Sequence, residues 1–237
     1  DDGETITTAM ALPEDEDSWD SLFVMFATAS GGVRRNRLSD FTNVMANGKI
    51  AMKLADGDHL VRVRAFEEGD NVFLATRQGK CVRFPVADVR VFSGRTSQGV
   101  RGINLADGDE VIAMSGLKHV KTEVTARDEY LRAVNAGRRL AGGDYTDRDD
   151  DKARDEELAG ALVHPEFAAM GLEEEFILTV TADGMGKRTS AYDYRISKRG
   201  GKGIGSIDLK RGEGSLTEVV ASLPVLPTDE LVMVSDG

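Results

Sequence analysis

The sequence predicts an all-β fold, an array of like four-stranded blades interrupted once by an acidic helical insertion. Three observations predict it. The chain repeats itself: FVMFATASGGVRRNRLSDF from Phe23, NVFLATRQGKCVRFPVADV from Asn71 and FILTVTADGMGKRTSAYDY from Phe176 lie over one another with matching chemistry. Each copy carries a glycine (Gly31, Gly79, Gly184), an arginine four residues on (Arg35, Arg83, Arg188) and an aspartate five further (Asp40, Asp88, Asp193). One stretch, 119–175, departs from the pattern and has a helical composition. Self-similarity at about 50 residues marks an array of like units, so function is sought in what the units share.

Each copy opens on an apolar run, such as FVMFATA at 23–29, that is nearly continuous rather than alternating. That pattern suits a strand covered on both faces. The run meets Ser30-Gly31-Gly32, Gln78-Gly79 or Asp183-Gly184, where glycine supplies the positive φ of a tight turn, so a second strand carrying the arginine should follow as a hairpin. The second half of the unit also recurs, as GKIAMKLADGDHLVRV from Gly48, GVRGINLADGDEVIAM from Gly99 and GIGSIDLKRGEGSLTEVV from Gly203. In each, a Gly-led strand is expected to end at a leucine (Leu54, Leu105, Leu209), followed by a turn and one more strand.

The spacing from Gly79 to Gly184 is about double that from Gly31 to Gly79, so an insertion or a degenerate blade lies between. TARDEYLRAVNAGRRLAGG and DRDDDKARDEELAGALV are rich in Ala, Leu, Arg and Glu and poor in β-branched residues, which favours helix. The stretch reads as an acidic helical insertion in the loop of the second blade, with Gly142–Asp151 as its tip or as a disordered linker. The opening DDGETITTAM matches the last strand of a unit, and LVMVSDG from Leu231 matches the first. The expected division is a partial blade over 1–20, blades over 22–63, 71–114 and 176–221, a helical segment over 119–172 and the start of another blade over 230–237. The chain then reads as a fragment of a longer protein.

At 237 residues and 41% apolar composition the chain can bury a packed core. Its one cysteine, Cys81, excludes an internal disulfide framework and fits a reducing cytoplasm. His59, His119 and His164 lack metal-ligand spacing, no apolar run is long enough to span a bilayer, and neither a metal nor a membrane is expected as a partner. The net charge of −11 hides segregation: residues 22–54 hold five Lys+Arg against one acid, 71–105 six against one, and 176–211 eight against three. Residues 1–20 carry eight acids and no base, and 119–175 fifteen acids against eight bases. Because exposed charges are screened beyond about 8–10 Å, basic repeat bodies can attract a polyanion despite an acidic total.

ASGGVRRNRLSDF, GKCVRFPVADVRVFSGRTSQGVRGINLADGDEV and DGMGKRTSAYDYRISKRGGKGI together resemble the C-terminal domain of the DNA gyrase A subunit over nearly all of the chain outside 119–175. The related domain of topoisomerase IV is a weaker match, because GRTSQGVRGI is more similar to gyrase. The resemblance implies a β-pinwheel, a propeller-like disc whose blades exchange strands and whose rim wraps DNA in a positive sense. It also implies a parent type II topoisomerase of A and B subunits that uses ATP and Mg to introduce negative supercoils.

Wrapping without sequence choice needs many phosphate contacts, which repeated Arg and Lys supply. The candidates are Arg34, Arg35 and Arg37 on the first blade, Lys80, Arg83, Arg95 and Arg101 on the second, and Lys187, Arg188, Lys198, Arg199 and Lys202 on the third. Ser197–Gly203 (SKRGGKG) is similar to the family's signature box, either as the box itself or as its equivalent on a later blade; the missing Gln and the position after the insertion favour the equivalent. No catalytic residue is expected: Tyr130, Tyr145, Tyr192 and Tyr194 lack the family's catalytic surroundings, and GRTSQGVRG lacks the ending of a nucleotide loop. A propeller-like scaffold for acidic proteins is the alternative reading.

Overall fold

The computed structural model describes residue 6 and residues 8–42, 48–142, 152–226 and 228–232. The stretches matched to repeat halves at 1–10 and 231–237, the tip after Gly142 and Tyr145 therefore lie wholly or largely outside the described residues. The chain forms two compact units, one of residues 1–119, 176–189 and 194–237, the other of 120–175 and 190–193.

The first unit is built on three hairpins. Strand β1 (Phe23–Thr28) returns as β2 (Gly32–Arg37), and β3 (Leu60–Phe66) pairs along the other side of β1. The second copy repeats this with β4 (Asn71–Thr76), β5 (Lys80–Pro85), the two-residue β6 (Val100–Arg101) and β7 (Val111–Leu117). The third gives β8 (Phe176–Thr181), β9 (Gly186–Ser190), the two-residue β10 (Ile204–Gly205) and β11 (Val219–Val225). Gly31, Gly79 and Gly184 all adopt positive φ, +84°, +73° and +82°, as a tight turn at those points requires. Every residue of β1 and β4 is buried, which matches their unbroken apolar sequence.

The sheets run β3-β1-β2-β6, β10-β5-β4-β7 and β11-β8-β9. Two of the sheets are four-stranded and exchange strands as the resemblance implies: the fourth strand of each is lent by the following repeat, not by the repeat that supplies the other three. Val100 and Arg101 pair with Val33 and Gly32, and Ile204 and Gly205 pair with Cys81 and Lys80. The Gly-led strands are also shorter than expected. After two paired residues the N–H groups of Gly102 and Ile103 both turn to the Gly31 carbonyl, at 2.8 and 3.3 Å, and the chain folds over the hairpin tip into the core. Residues 48–59 form no strand at all. Such a segment gains β geometry only against a preceding hairpin, and the described residues contain none for it.

Recurrent side chains hold each hairpin tip. Thr28 Oγ1 accepts from the Gly32 N–H and Thr76 Oγ1 from the Lys80 N–H, at 3.2 and 3.1 Å. Asp58 accepts from the Ser30 N–H and hydroxyl, at 3.0 and 2.6 Å, and Asp109 from the Gln78 N–H at 2.9 Å. Burial pushes the Asp58 carboxyl up, but hydrogen bonds from Ser30, then Thr28 and the His59 N–H, together outweigh it and hold the group below the usual carboxylate range. In the third copy the tie has reversed polarity: the hairpin supplies Asp183 and the turn supplies Arg211, with Nε 2.5 Å from the carboxylate. One core serves the first two sheets, with Met25, Val33, Phe66, Leu74, Val82, Phe84, Ile103 and Val111 buried together. Each such side chain contributes about 1.5–3 kcal/mol by leaving water.

The second unit contains α1 (Val124–Leu140), α2 (Lys152–Gly160) and α3 (Pro165–Leu172), as its composition predicted. The chain enters it after β7, the last strand of the second repeat, and leaves it into β8, so it stands between repeats rather than in a loop of the second blade. Tyr130, Leu131, Ala133, Phe167, Met170 and Tyr192 form its core. Tyr130 donates to Glu174 at 2.9 Å and Tyr192 to the Met170 carbonyl at 3.1 Å; burial, then the Glu174 carboxylate, pushes the Tyr130 phenol far above its ordinary range. Arg139 on α1 clasps Asp155 on α2, with Nε to Oδ2 at 2.7 Å.

Candidate nucleic-acid interface

The exchanged strands create two joints with one backbone geometry. Each begins at a glycine of positive φ, Gly99 or Gly203, packed directly on the preceding hairpin. At the first joint Gly32 faces Arg101, and at the second Lys80 faces Gly205. The cation therefore comes from the lent strand at one joint and from the hairpin at the other, and both Arg101 and Lys80 are exposed. Glycine opposite a long cationic side chain leaves room for a phosphate to approach.

Three expected contacts are not on the surface. Arg34 is fully buried, and Arg35 and Arg83 are each 5% exposed. Arg34 is a crosspiece: Nη1 donates to the Ser97 carbonyl and to Ser97 Oγ (2.7 Å), Nη2 to the Gly94 carbonyl and Nε to Asn36 Oδ1 at 2.8 Å. Its guanidinium also lies 4.6 Å from the centre of the Phe92 ring. Burial, then neighbouring Arg90, lowers its pKa, while Asp40 opposes the shift. Arg35 lies over Phe23 at 4.4 Å and pairs with Glu68 at 3.1 Å. Arg83 donates to the Lys118 carbonyl at 2.8 Å. The position that recurs as arginine is thus inward in the first two copies, because strands β2 and β5 are covered on both faces. In the third copy Arg188 lies over Phe176 at 5.0 Å but stays exposed.

The remaining candidates reach solvent to different degrees. Arg37, Lys187, Lys198 and Lys202 are exposed, with Arg37 anchored to the Asp20 carbonyl at 2.7 Å. Arg95 and Arg199 are half-buried. Arg199 braces its loop against the second repeat, donating to the carbonyls of Asp88 and Arg101 at 2.9 and 3.0 Å. The loops 93–99 and 198–203 occupy equivalent places, since Phe92 and Ser197 each donate a backbone N–H at 2.8 Å to the preceding repeat's arginine, Arg35 or Arg83.

Several exposed cations escape the repeat-based selection. Arg62 and Arg64 alternate outward along β3, a period-two signal legible in LVRVRAF. Lys53 also escapes that selection and, with the candidate Arg101, lines a recess of about 280 Å³ beside the tip of the first hairpin, together with Ser30 and Asp58. A second recess, about 220 Å³, is lined by Arg83, Arg195, Lys198 and Lys202, with no carboxylate in its wall among the described residues. Arg77 is set apart from this group by its pairing with Glu110 and Glu218. No cluster of three His, Cys, Asp or Glu side chains suited to a metal occurs among the described residues, and no described helix is long and apolar enough to cross a membrane.

The family model described as the DNA gyrase C-terminal domain, a beta-propeller, matches residues 23–67, 70–116 and 175–221. The chain is 51% identical over 240 residues to the DNA gyrase A subunit of Granulibacter bethesdensis, covering 98% of this chain and 25% of that protein. It is 45% identical over 236 residues to the DNA gyrase A subunit of Rickettsia bellii, covering 99% and 25%. The chain thus spans about a quarter of the length of these curated relatives. Among solved structures, the C-terminal domain of DNA topoisomerase IV superposes with a TM-score of 0.57 at 16% identity, over 87% of this chain and 47% of that one, a likeness of fold. The three matched segments coincide with the three hairpin repeats and take in more than half of the sequence, so the chain belongs to the DNA gyrase C-terminal domain family.

Proposed function

We propose that this chain binds and wraps double-stranded DNA without reading its sequence, through phosphate contacts strung along the joints between repeats. The observation that carries this reading is the paired placement of exposed cations, Arg101 opposite Gly32 and Lys80 opposite Gly205, on one recurring backbone geometry. The other exposed candidates are Arg37, Lys187, Arg188, Lys198 and Lys202, with Arg95 and Arg199 partly exposed. Each neutralised phosphate releases condensed counterions, so affinity arises from their number and not from base contacts. Curving a duplex costs on the order of 1–6 kcal/mol over 20–30 base pairs, which several spaced contacts can offset.

In this reading the chain is the DNA-wrapping part of gyrase A, working with the rest of that polypeptide and with gyrase B in the bacterial cytoplasm. The parent enzyme would be an ATP-hydrolysing type II topoisomerase, and wrapping in a positive sense would bias its strand passage toward negative supercoils. ATP and Mg²⁺ are assigned no residue in this chain, and the chain itself performs no bond-making step. Sealing a nicked plasmid with ligase in the presence of the chain tests the proposal. Bound protein should shift the linking-number distribution in proportion to its concentration. An unshifted distribution at saturation would reject wrapping. An acidic protein that binds the same joints and resists displacement by duplex DNA would favour the scaffold reading instead.

A further inference from the structure

We infer that the recess at the second joint is a seat for a single phosphate group, which the first joint lacks because its own side chains fill the same place. The two joints are built on equivalent residues. Where the first has Arg34 the second has Val82, and where the first has Phe92 the second has Ser197. At the first joint the Arg34 guanidinium, stacked against Phe92, occupies the space under the loop 93–99 and bonds to Gly94 and Ser97 of that loop. At the second joint the two replacements are short. Val82 and Ser197 both line the resulting recess of about 220 Å³, under the equivalent loop 198–203.

The wall chemistry says what the recess would take. Arg83, Arg195, Lys198 and Lys202 line it, the last three exposed, while Gly201 and Gly203 leave backbone close to the opening. Among the described residues no Asp or Glu side chain lines it, in contrast to the recess by the first hairpin, which contains Asp58. A compact site with cations and no carboxylate favours a small, multiply charged anion, and a phosphate group fits that size and charge. Arg199, braced on Asp88 and Arg101, holds the loop over it. The backbone of bound DNA is the source of that phosphate if the proposed function holds, and the inference rests on that reading for its occupant. The two joints are then unequal: the second grips one phosphate in a recess lined by cations, whereas at the first the place under the loop is filled and the neighbouring recess carries Asp58.

The test uses the 237-residue chain with two probes, inorganic phosphate and a short duplex. Millimolar inorganic phosphate should shift the backbone amide resonances of Cys81, Gly201 and Gly203, and duplex DNA should displace it. Filling the recess without changing charge, by Val82→Met with Ser197→Phe, should abolish those shifts and weaken duplex binding about tenfold, the scale of one phosphate held by charge-assisted hydrogen bonds. Should that variant fail to fold, Lys198→Gln with Lys202→Gln should remove the phosphate shifts, whereas Arg37→Gln should weaken duplex binding and leave them intact. Duplex binding by the wild-type chain with silent recess amides, or full affinity in a folded filled variant, overturns the seat and leaves the wrapping proposal standing. Phosphate shifts without any duplex binding overturn the wrapping proposal, and phosphate retained under saturating duplex overturns the DNA backbone as its source.

Discussion

Gly99 meets the Val33 carbonyl so closely that a Cβ on Gly99 would lie 2.4 Å from its oxygen. Gly203 repeats the relationship at the second joint, 2.5 Å from the Cys81 carbonyl oxygen, whereas Gly48, with φ of +76°, has nothing within 4 Å. Gly99→Ala and Gly203→Ala should each destabilise the fold by about 2–4 kcal/mol, combining left-handed strain with a backbone clash. Gly48→Ala carries the strain alone and should cost about 1–2 kcal/mol. Urea denaturation of the three variants checks the ordering.

The buried arginines should behave unlike the exposed ones. Arg35→Ala removes the packing over Phe23 and the partner of Glu68, and should cost about 1–3 kcal/mol of stability. Under conditions where the variant is still folded, its affinity for duplex DNA should match the wild type. Lys187→Gln should do the reverse, leaving the thermal midpoint in place and reducing affinity a few-fold. A paired melting and gel-shift series separates the two classes.

The Asp183–Arg211 tie gives a pH signature. Hydrogen bonding from Arg211, then from Thr181, holds the Asp183 carboxyl far below the usual carboxylate range. A depressed folded-state pKa contributes stability that is complete above the unfolded value, near 4, and is lost as pH falls toward the folded value. The thermal midpoints of wild type and Arg211→Gln should therefore differ at neutral pH and converge in strong acid. Scanning both proteins by melting from pH 7 downward checks the direction.

Cys81 should be chemically silent in the folded chain. Burial pushes its thiol up to about 12, and only 1% of the residue is exposed. Labelling by a thiol-specific reagent should follow the rate of local opening rather than the reagent's concentration. Reaction as fast as that of a free thiol at pH 8 would contradict the packing of Gly203 on this strand.

Much of this architecture is legible in the residues. The glycine turns at Gly31, Gly79 and Gly184, the doubly covered strands β1 and β4 and the helices of 124–140 and 152–172 all follow from local pattern, because turn geometry and helical propensity are local properties. Strand exchange is not local and entered only through the family resemblance: nothing in GVRGINL itself says that Val100 pairs with the hairpin before it rather than with its own repeat. The inward course of Arg34, Arg35 and Arg83 is hidden for a related reason. On a strand buried on both faces, arginine can stay only where an aromatic ring, a carboxylate or carbonyls offset its desolvation, and the partners Phe92, Glu68 and Lys118 come from other segments. Arg62 and Arg64 show the converse, since their alternation along β3 marks an exposed face that repeat matching alone passes over.

The salt dependence of duplex binding by the intact chain tests the central claim most directly. With about five to seven phosphates neutralised by the exposed cations, the logarithm of the association constant should fall with the logarithm of salt concentration at a slope of roughly −4 to −6. A slope near zero, or no binding at low salt by the folded chain, would contradict a phosphate track along the joints.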